Sequence, residues 1–253
     1  MAVAPIHGKG VRTLVDEKDL SDFLKEVTVS AEMDTAEVTT FGDNDKSYIP
    51  GLKDATLSFN GLFAASTTAV DDVANYLDGA LGGSTKQVIT VDVNRSTGGR
   101  AWMMQADDTK YDVSAPVDDI VTISVDARAS GGYWGGRMLR PLSTKAGSTA
   151  TVSGSAVATP GTTAVGGTTG GGVAHFHLTA VQSTGEIYFT VQHSTTGSTW
   201  ATLITSSTFS AVNFQRSTVA GTVKEQLRGQ VLAGSTKDVT ATAAIAFSRR
   251  VRT

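Results

Sequence analysis

Four histidines, His7, His175, His177 and His193, are the side chains of this 253-residue chain best suited to bind a metal or move a proton near neutral pH. His175-Phe-His177 sets two imidazoles on one face of a strand, and His193 falls in a neighbouring strand pattern. Three such nitrogens are a set that zinc can use. No carboxylate or other orienting partner accompanies them. The expectation is therefore solvent-facing or rim residues alternating with a core Phe176, and no metal site.

Carboxylates come in adjacent pairs at Asp71/Asp72, Asp107/Asp108 and Asp118/Asp119. A glycosidase needs two carboxyls facing each other across a cleft, whereas neighbours on a strand point to opposite faces. Asp71/Asp72 fit the start of a helix, and the other pairs flank predicted turns where Asp is locally favoured. Ser153-Gly-Ser155 lies in low-complexity sequence rather than on a strand-to-helix elbow. Gly131-Gly-Tyr-Trp-Gly-Gly136 lacks the Lys-Ser/Thr and helix pattern of a phosphate loop, and its Tyr133 and Trp134 suit packing at a domain junction or subunit contact. The residues offer no enzyme and no cofactor.

Composition narrows the class further. The chain has no cysteine, so neither disulfides nor thiolate chemistry is available. A formal net charge of −3 argues against wrapping nucleic acid or binding an anionic membrane. The N-terminus has no apolar run of signal-peptide length, and no stretch approaches the roughly 20 apolar residues of a membrane-spanning helix. A soluble protein made in the cytoplasm is expected.

The elements that would hold any site are strands. Alternation places Val27, Val29, Ala31 and Met33 on one face, then Ala55, Leu57, Phe59, Gly61 and Phe63. Ile89, Val91 and Val93 come next, then Val121, Ile123 and Val125. One segment changes period: Val70, Val73, Ala74, Leu77 and Leu81 recur at helical spacing, predicting a helix over about 69–81. Thr67 or Thr68 can cap it, and Gly82-Gly83 can stop it. Residues 141–172 collapse to Ser, Thr, Gly, Ala, Val and Pro and read as a linker, with 149–158 as a candidate first strand of the C-terminal domain. Beyond it, Ala174, Phe176, Leu178 and Ala180, then Ile187, Phe189 and Val191, then Ala241, Ala243, Ile245 and Phe247 form apolar faces of a second β-sandwich over 173–253.

Between the first two strand patterns runs a long charged segment, Phe41-Gly-Asp-Asn-Asp-Lys-Ser-Tyr-Ile-Pro-Gly-Leu-Lys-Asp54. A Gly/Pro-punctuated loop of that length usually works outside its own domain. The ordered series Asp19-Leu-Ser-Asp-Phe23, Val38-Thr-Thr-Phe-Gly42 and Tyr48-Ile-Pro-Gly-Leu-Lys-Asp54 resembles the major tail tube protein of long-tailed, siphovirus-type bacteriophages.

The resemblance implies an all-β fold with one flanking α-helix. Residues 1–140 would form a tube domain, a β-sandwich or half-barrel with an N-terminal arm over 1–18 and a stacking loop over 40–52. Residues 173–253 would form an Ig-like sandwich decorating the exterior. It implies hexameric rings stacked into a tube in the virion tail, assembled in the host cytoplasm. The partners implied are further copies, the tape measure protein, and the tail tip and terminator proteins, with DNA in transit rather than specifically bound. Contacts between subunits or rings would use Phe41, Asp43, Tyr48, Ile49, Pro50, Leu52, Lys53 and Asp54. Asp92, Asp107, Asp108, Asp118 and Asp119 are candidates for an acidic channel lining that does not hold phosphate. The rival expectation is a carbohydrate-binding or host-surface adhesion module, chiefly in the C-terminal half, where Tyr188 and Trp200 offer rings for stacking on sugars.

Overall fold

Period-two alternation becomes strand almost wherever it occurs. The computed structural model describes residues 8–42, 44–63, 73–145, 152–153, 157–158, 169–182, 185–234 and 239–249. In chain order the strands are β1 (Arg12–Val15), β2 (Lys18–Asp19), β3 (Leu24–Glu37), β4 (Tyr48–Leu62), β5 (Gln87–Asp92), β6 (Arg100–Ser114) and β7 (Thr122–Lys145). They continue with β8 (Val152–Ser153), β9 (Val157–Ala158), β10 (Gly172–Gln182), β11 (Ile187–Ser194) and β12 (Ala201–Thr205). β13 (Asn213–Val219), β14 (Gln226–Ala233) and β15 (Thr240–Arg249) complete the series. Among the described residues the fold is all-β with one short α-helix, α1 (Val73–Ala80), inside the span its apolar spacing predicts. Gly82, at φ 71°, supplies the left-handed stop, and Gly83 N–H donates to the Ala80 carbonyl. Thr67, Thr68, Asp71 and Asp72 lie outside the described residues.

The chain groups into two compact units that interleave in sequence. One comprises residues 22–87 and 104–133, the other residues 1–21, 88–103 and 134–253. β6 and β7 supply residues to both. The linear division at 140 and 172 expected from composition is therefore not how the contacts fall. The reason is a strand pairing: β15 lies antiparallel to β7 from Ala241↔Lys145 to Phe247↔Arg137, so the C-terminal strands share a sheet with the N-terminal ones.

In the first of these units β4 is central, pairing with β3 along its length and with β7 from Thr56↔Arg128 to Leu62↔Thr122. The unit's buried side chains include Ala55, Leu57, Phe59, Leu77, Met104, Ala106, Ile123 and Val125. In the other unit the sheet runs β13-β10-β15-β7-β6-β5-β1-β2, and a second sheet runs β12-β11-β14-β8, with β9 also on β14. The candidate strand over 149–158 is thus realised as two short pieces, β8 and β9. Phe176, Leu178, Ile187, Phe189, Val191, Val231, Ile245 and Phe247 form the main core of this unit. The opposite face of the larger sheet is also buried, where its own Leu14, Met103, Met138, Val173, Ala244 and Ala246 cluster with Trp134 against them.

Two expected boundaries are corrected. Residues 11–18 are no free arm: Thr13, Leu14 and Val15 are buried, and β1 pairs with β5 from Arg12↔Asp92 to Val15↔Ile89. Residues 1–7 lie outside the described set. The loop expected over 40–52 is shorter, because Tyr48, Ile49 and Pro50 are already paired with Glu37, Ala36 and Thr35. A register shift between Met33 and Thr35 absorbs the Pro-Gly pair, since a proline can lie beside a bulge without a ladder N–H.

Phe176 and Phe189 stack at 5.5 Å between ring centroids, both fully buried. Phe189→Ala should lower the unfolding free energy by about 3–5 kcal/mol, the range for large-to-small changes in a packed core, as read by chemical denaturation.

Candidate functional site

The β3–β4 ribbon leaves its unit with both faces in water. β3 is half-buried at best in its first residues and exposed from Ser30 onward, and β4 is exposed from Tyr48 to Lys53. Large apolar side chains nonetheless sit there. Phe41 is fully exposed, Leu52 81 %, Ile49 55 % and Tyr48 53 %, with Met33 and Val38 beside them in sequence or register. Grouped exposed apolar residues of this kind mark a contact surface more often than scattered ones do. Tyr48 and Ile49 do not fold back onto their own unit.

The ribbon end is held by polar contacts. Val38 N–H donates to the Ser47 carbonyl, Ser47 N–H to Thr39 Oγ1, and Lys46 pairs with Glu37 at 3.1 Å. Gly51 lies tight against its partner: a Cβ there would stand 3.0 Å from the Asp34 carbonyl oxygen, so a larger residue needs Asp34 to give way slightly. Lys53 is exposed, whereas Asp54 is committed within the chain. Arg128 donates to Asp54 through Nε at 3.0 Å and Nη2 at 2.5 Å and holds its carboxyl below the usual carboxylate range. Asp43 lies outside the described residues.

The five carboxylates considered for a channel lining separate sharply. Asp92 is fully buried, and its Oδ1 accepts the N–H groups of Asn94 and Arg95, closing the β5–β6 turn. Burial raises its pKa, opposed by those two N–H groups and by the charges of Arg12 and Arg95. Asp108 is buried and raised to about 6, first by desolvation, with Asp107 adding to the shift and Gln87 opposing it. Neither presents its carboxylate to an open surface. Asp118 and Asp119 are exposed in the β6–β7 turn, and Asp107 is half-buried.

The histidine expectation is also corrected. His175 and His177 are both fully buried rather than at a rim. Thr90 Oγ1 lies 3.0 Å from His175 Nδ1 and 2.8 Å from His177 Nε2, and His177 Nδ1 lies 2.6 Å from the Asp16 carbonyl oxygen. The carbonyl can only accept, so His177 Nδ1 carries the proton. Thr90 then donates to His177 Nε2 and accepts from His175 Nδ1. One directed chain thus ties the β1–β2 turn, β5 and β10 together. Desolvation lowers both histidines, His177 to about 4 and His175 well below its ordinary value, with the His177 and Arg216 charges adding to the latter. His193 is elsewhere, its Nδ1 accepting from Lys224 N–H. Among the described residues no three His, Asp or Glu side chains are grouped to hold a metal.

The remaining candidates are occupied. Trp134 meets His175 edge-on at 6.1 Å and carries Arg216 over its ring at 4.8 Å. Trp200 donates its N–H to the Gly197 carbonyl and is covered by Arg228 at 4.3 Å, so one ring face and its donor are already used. Ser153 is in β8, while Ser155 and His7 lie outside the described residues.

The class defined by these features is an all-β protein with an exposed apolar ribbon. No protein-family model matches the chain, and no curated protein matches it. Among solved structures, similarity extends to the virion of a native gene transfer agent particle (16 % identity, 50 % of this chain and 95 % of that one, TM-score 0.40). It extends also to the SPP1 tail tube (13 %, 52 % and 78 %, TM-score 0.42) and to the SPP1 Dit protein (14 %, 94 % and 98 %, TM-score 0.36). At these identities and TM-scores the likenesses do not bear on what this chain does.

The buried titratable groups give the fold two pH dependences of opposite sign. A histidine with a depressed folded pKa supports folding above its unfolded value and loses that support as pH falls towards the folded one. The His177 contribution is therefore lost between pH 6.5 and 4, and His177→Gln should remove it, so that the difference between wild type and variant in a pH series of urea midpoints narrows or reverses over that window. Asp108 has the opposite sign over an overlapping window: its raised pKa favours folding at low pH, and that support is lost as pH rises from about 3.8 to 6. Asp108→Asn should stabilise the protein at pH 7.5, by at most about 3 kcal/mol, and have little effect at pH 4.

Proposed function

We propose that this chain is a structural subunit of a phage-type tail tube, forming hexameric rings that stack into a conduit for DNA. The observation that carries the reading is the β3–β4 ribbon, which exposes Phe41, Tyr48, Ile49 and Leu52 on a long hairpin that its own unit leaves uncovered. Burial of such residues against a neighbour removes apolar area from water at roughly 25 cal/mol per Å². β3 adds a second reason: among the described residues it pairs only with β4, leaving a 14-residue strand edge open. An open edge of that length invites pairing with another chain, and ring closure is one way to satisfy it. The ordered segments between Asp19 and Asp54 that resemble tail tube proteins support the same assignment.

In this reading Phe41, Asp43, Tyr48, Ile49, Pro50, Leu52 and Lys53 meet a neighbouring subunit or ring, and Asp54 braces the ribbon through Arg128. Asp107, Asp118 and Asp119 remain as channel-facing carboxylates that discourage phosphate from lingering. The sheet of β11, β12 and β14 belongs to the decorating part of the particle. The finished protein resides in the virion tail after assembly in the host cytoplasm, with the tape measure, tail tip and terminator proteins as its partners.

Purified protein at high concentration should form hollow rings or tubes in negative-stain electron microscopy. Tyr48→Ser with Ile49→Ser should abolish them while shifting unfolding by no more than about 0.5 kcal/mol, as expected for exposed positions. Tubes that persist in the double variant, or a variant that unfolds, would count against the ribbon as the contact.

A further inference from the structure

The ribbon end is strongly acidic as well as apolar. Between residues 32 and 47 the sequence carries Glu32, Asp34, Glu37, Asp43 and Asp45 against Lys46, a formal charge of −4 where the whole chain carries −3. Glu37 is paired with Lys46, but Glu32, Asp34 and Asp45 are exposed and form no ion pair among the described residues. Such a surface needs a cationic counterpart if it is to be covered at all.

The other compact unit carries one. Three arginines converge on the turn between β5 and β6, residues 93–99. Arg95 stands in the turn at φ 53° and donates through Nη2 to the Val11 carbonyl at 3.2 Å. Arg137 donates through Nη1 to the Gly98 carbonyl at 2.8 Å. Arg100 lies just beyond the turn, its Nη2 only 2.8 Å from where a Cβ on Gly135 would stand. The turn is fixed from below by Asp92, and Met138 brackets it with hydrogen bonds to Gly98 and Gly99. Asp92 is buried and spends Oδ1 on backbone N–H groups, and none of the three arginines forms an ion pair among the described residues. A rigid turn thus presents three guanidinium groups, two of them anchored by neutral carbonyls and none neutralised by a carboxylate in salt-bridge contact.

We propose that this arginine turn is the docking site for the acidic end of the β3–β4 ribbon of a second copy of the chain, with Glu32, Asp34 and Asp45 meeting Arg95, Arg100 and Arg137. The inference rests on the self-assembly proposed above and names the receiving surface. The contact is heterologous, joining one patch to a different patch, so it propagates from copy to copy instead of closing a twofold dimer. Exposed ion pairs contribute only about 0–1 kcal/mol each, so the charges set register and partner choice while the apolar ribbon residues supply burial. A neighbouring ribbon that misses the turn leaves its acidic end without a counterpart.

The test is a charge swap followed by sedimentation equilibrium and electron microscopy of the full chain. Arg95→Glu with Arg100→Glu, and separately Glu32→Lys with Asp45→Lys, should each weaken self-association by about tenfold or more, and 0.5 M NaCl should weaken the wild type in the same direction. The chain carrying all four changes should recover association to within about threefold of wild type, since the complementarity is restored with signs exchanged. Circular dichroism and thermal unfolding of each variant separate lost docking from lost fold. Wild-type tubes that form equally well in both charge variants overturn the docking site and leave the tail tube reading intact. A wild type that stops at a closed dimer or a monomer overturns both. Arginine variants that lose binding to a DNA fragment while associating normally overturn the docking site and assign the turn to a polyanion instead.

Discussion

The backbone of β7 is the constraint on which the rest of the structure depends. A strand running from Thr122 to Lys145 must satisfy its hydrogen bonds over 24 residues, and no single partner does so. Its first part is met by β4, from Leu62↔Thr122 to Thr56↔Arg128, and its last part by β15, from Arg137 to Lys145. The two compact units arise from that handover. Because β15 is the last strand of the chain and β4 an early one, sequence order and spatial grouping part company. The same handover commits β10 and β13 to the larger sheet and gives that sheet two covered faces.

Covering both faces has a chemical consequence. From Gly172 to Leu178, every second residue of β10 points away from the main core, and there it meets other protein instead of water. His175 and His177 are the polar residues caught in that position, and Thr90 and the Asp16 carbonyl bond three of their four ring nitrogens in a fixed tautomeric order, leaving His175 Nε2 buried without such a partner. Burial here is structural chemistry, locking three elements together. The ribbon of β3 and β4 shows the opposite condition, with its ladder complete and its side chains unburied. Stability within the unit therefore comes from Ala55, Leu57 and Phe59, whereas the segment from Tyr48 to Lys53 gains little from its own fold.

Much of this was legible in the sequence. The apolar alternations of β10, β11 and β15 identify the main core except at Ala180, which the register shift after Leu178 turns outward while Val181 packs inward, and the helical spacing around Leu77 locates α1. Reading His175 and His177 as rim residues fails because period-two alternation implies one wet face. The corrective signal was present in β15, where Ala243-Ala-Ile-Ala-Phe247 is apolar at consecutive positions, the mark of a strand covered on both sides. The ribbon's extent was hidden by Pro50-Gly51, which reads as a turn until the bulge opposite Asp34 is known. Burial of Asp92 and Asp108, and the clustering of Arg95, Arg100 and Arg137, depend on long-range pairing that local patterns do not encode. The interleaved grouping of the chain is beyond them for the same reason.

The most direct measurement of the central claim is amide hydrogen exchange on dilute and concentrated protein, tracked residue by residue through 30–54. If copies of this chain assemble through the ribbon, exchange at Tyr48–Lys53 and along the open edge of β3 slows on concentration, while β10, β11 and β15 stay as protected as before. Exchange in the ribbon that is unchanged while the protein associates through some other surface would contradict the account.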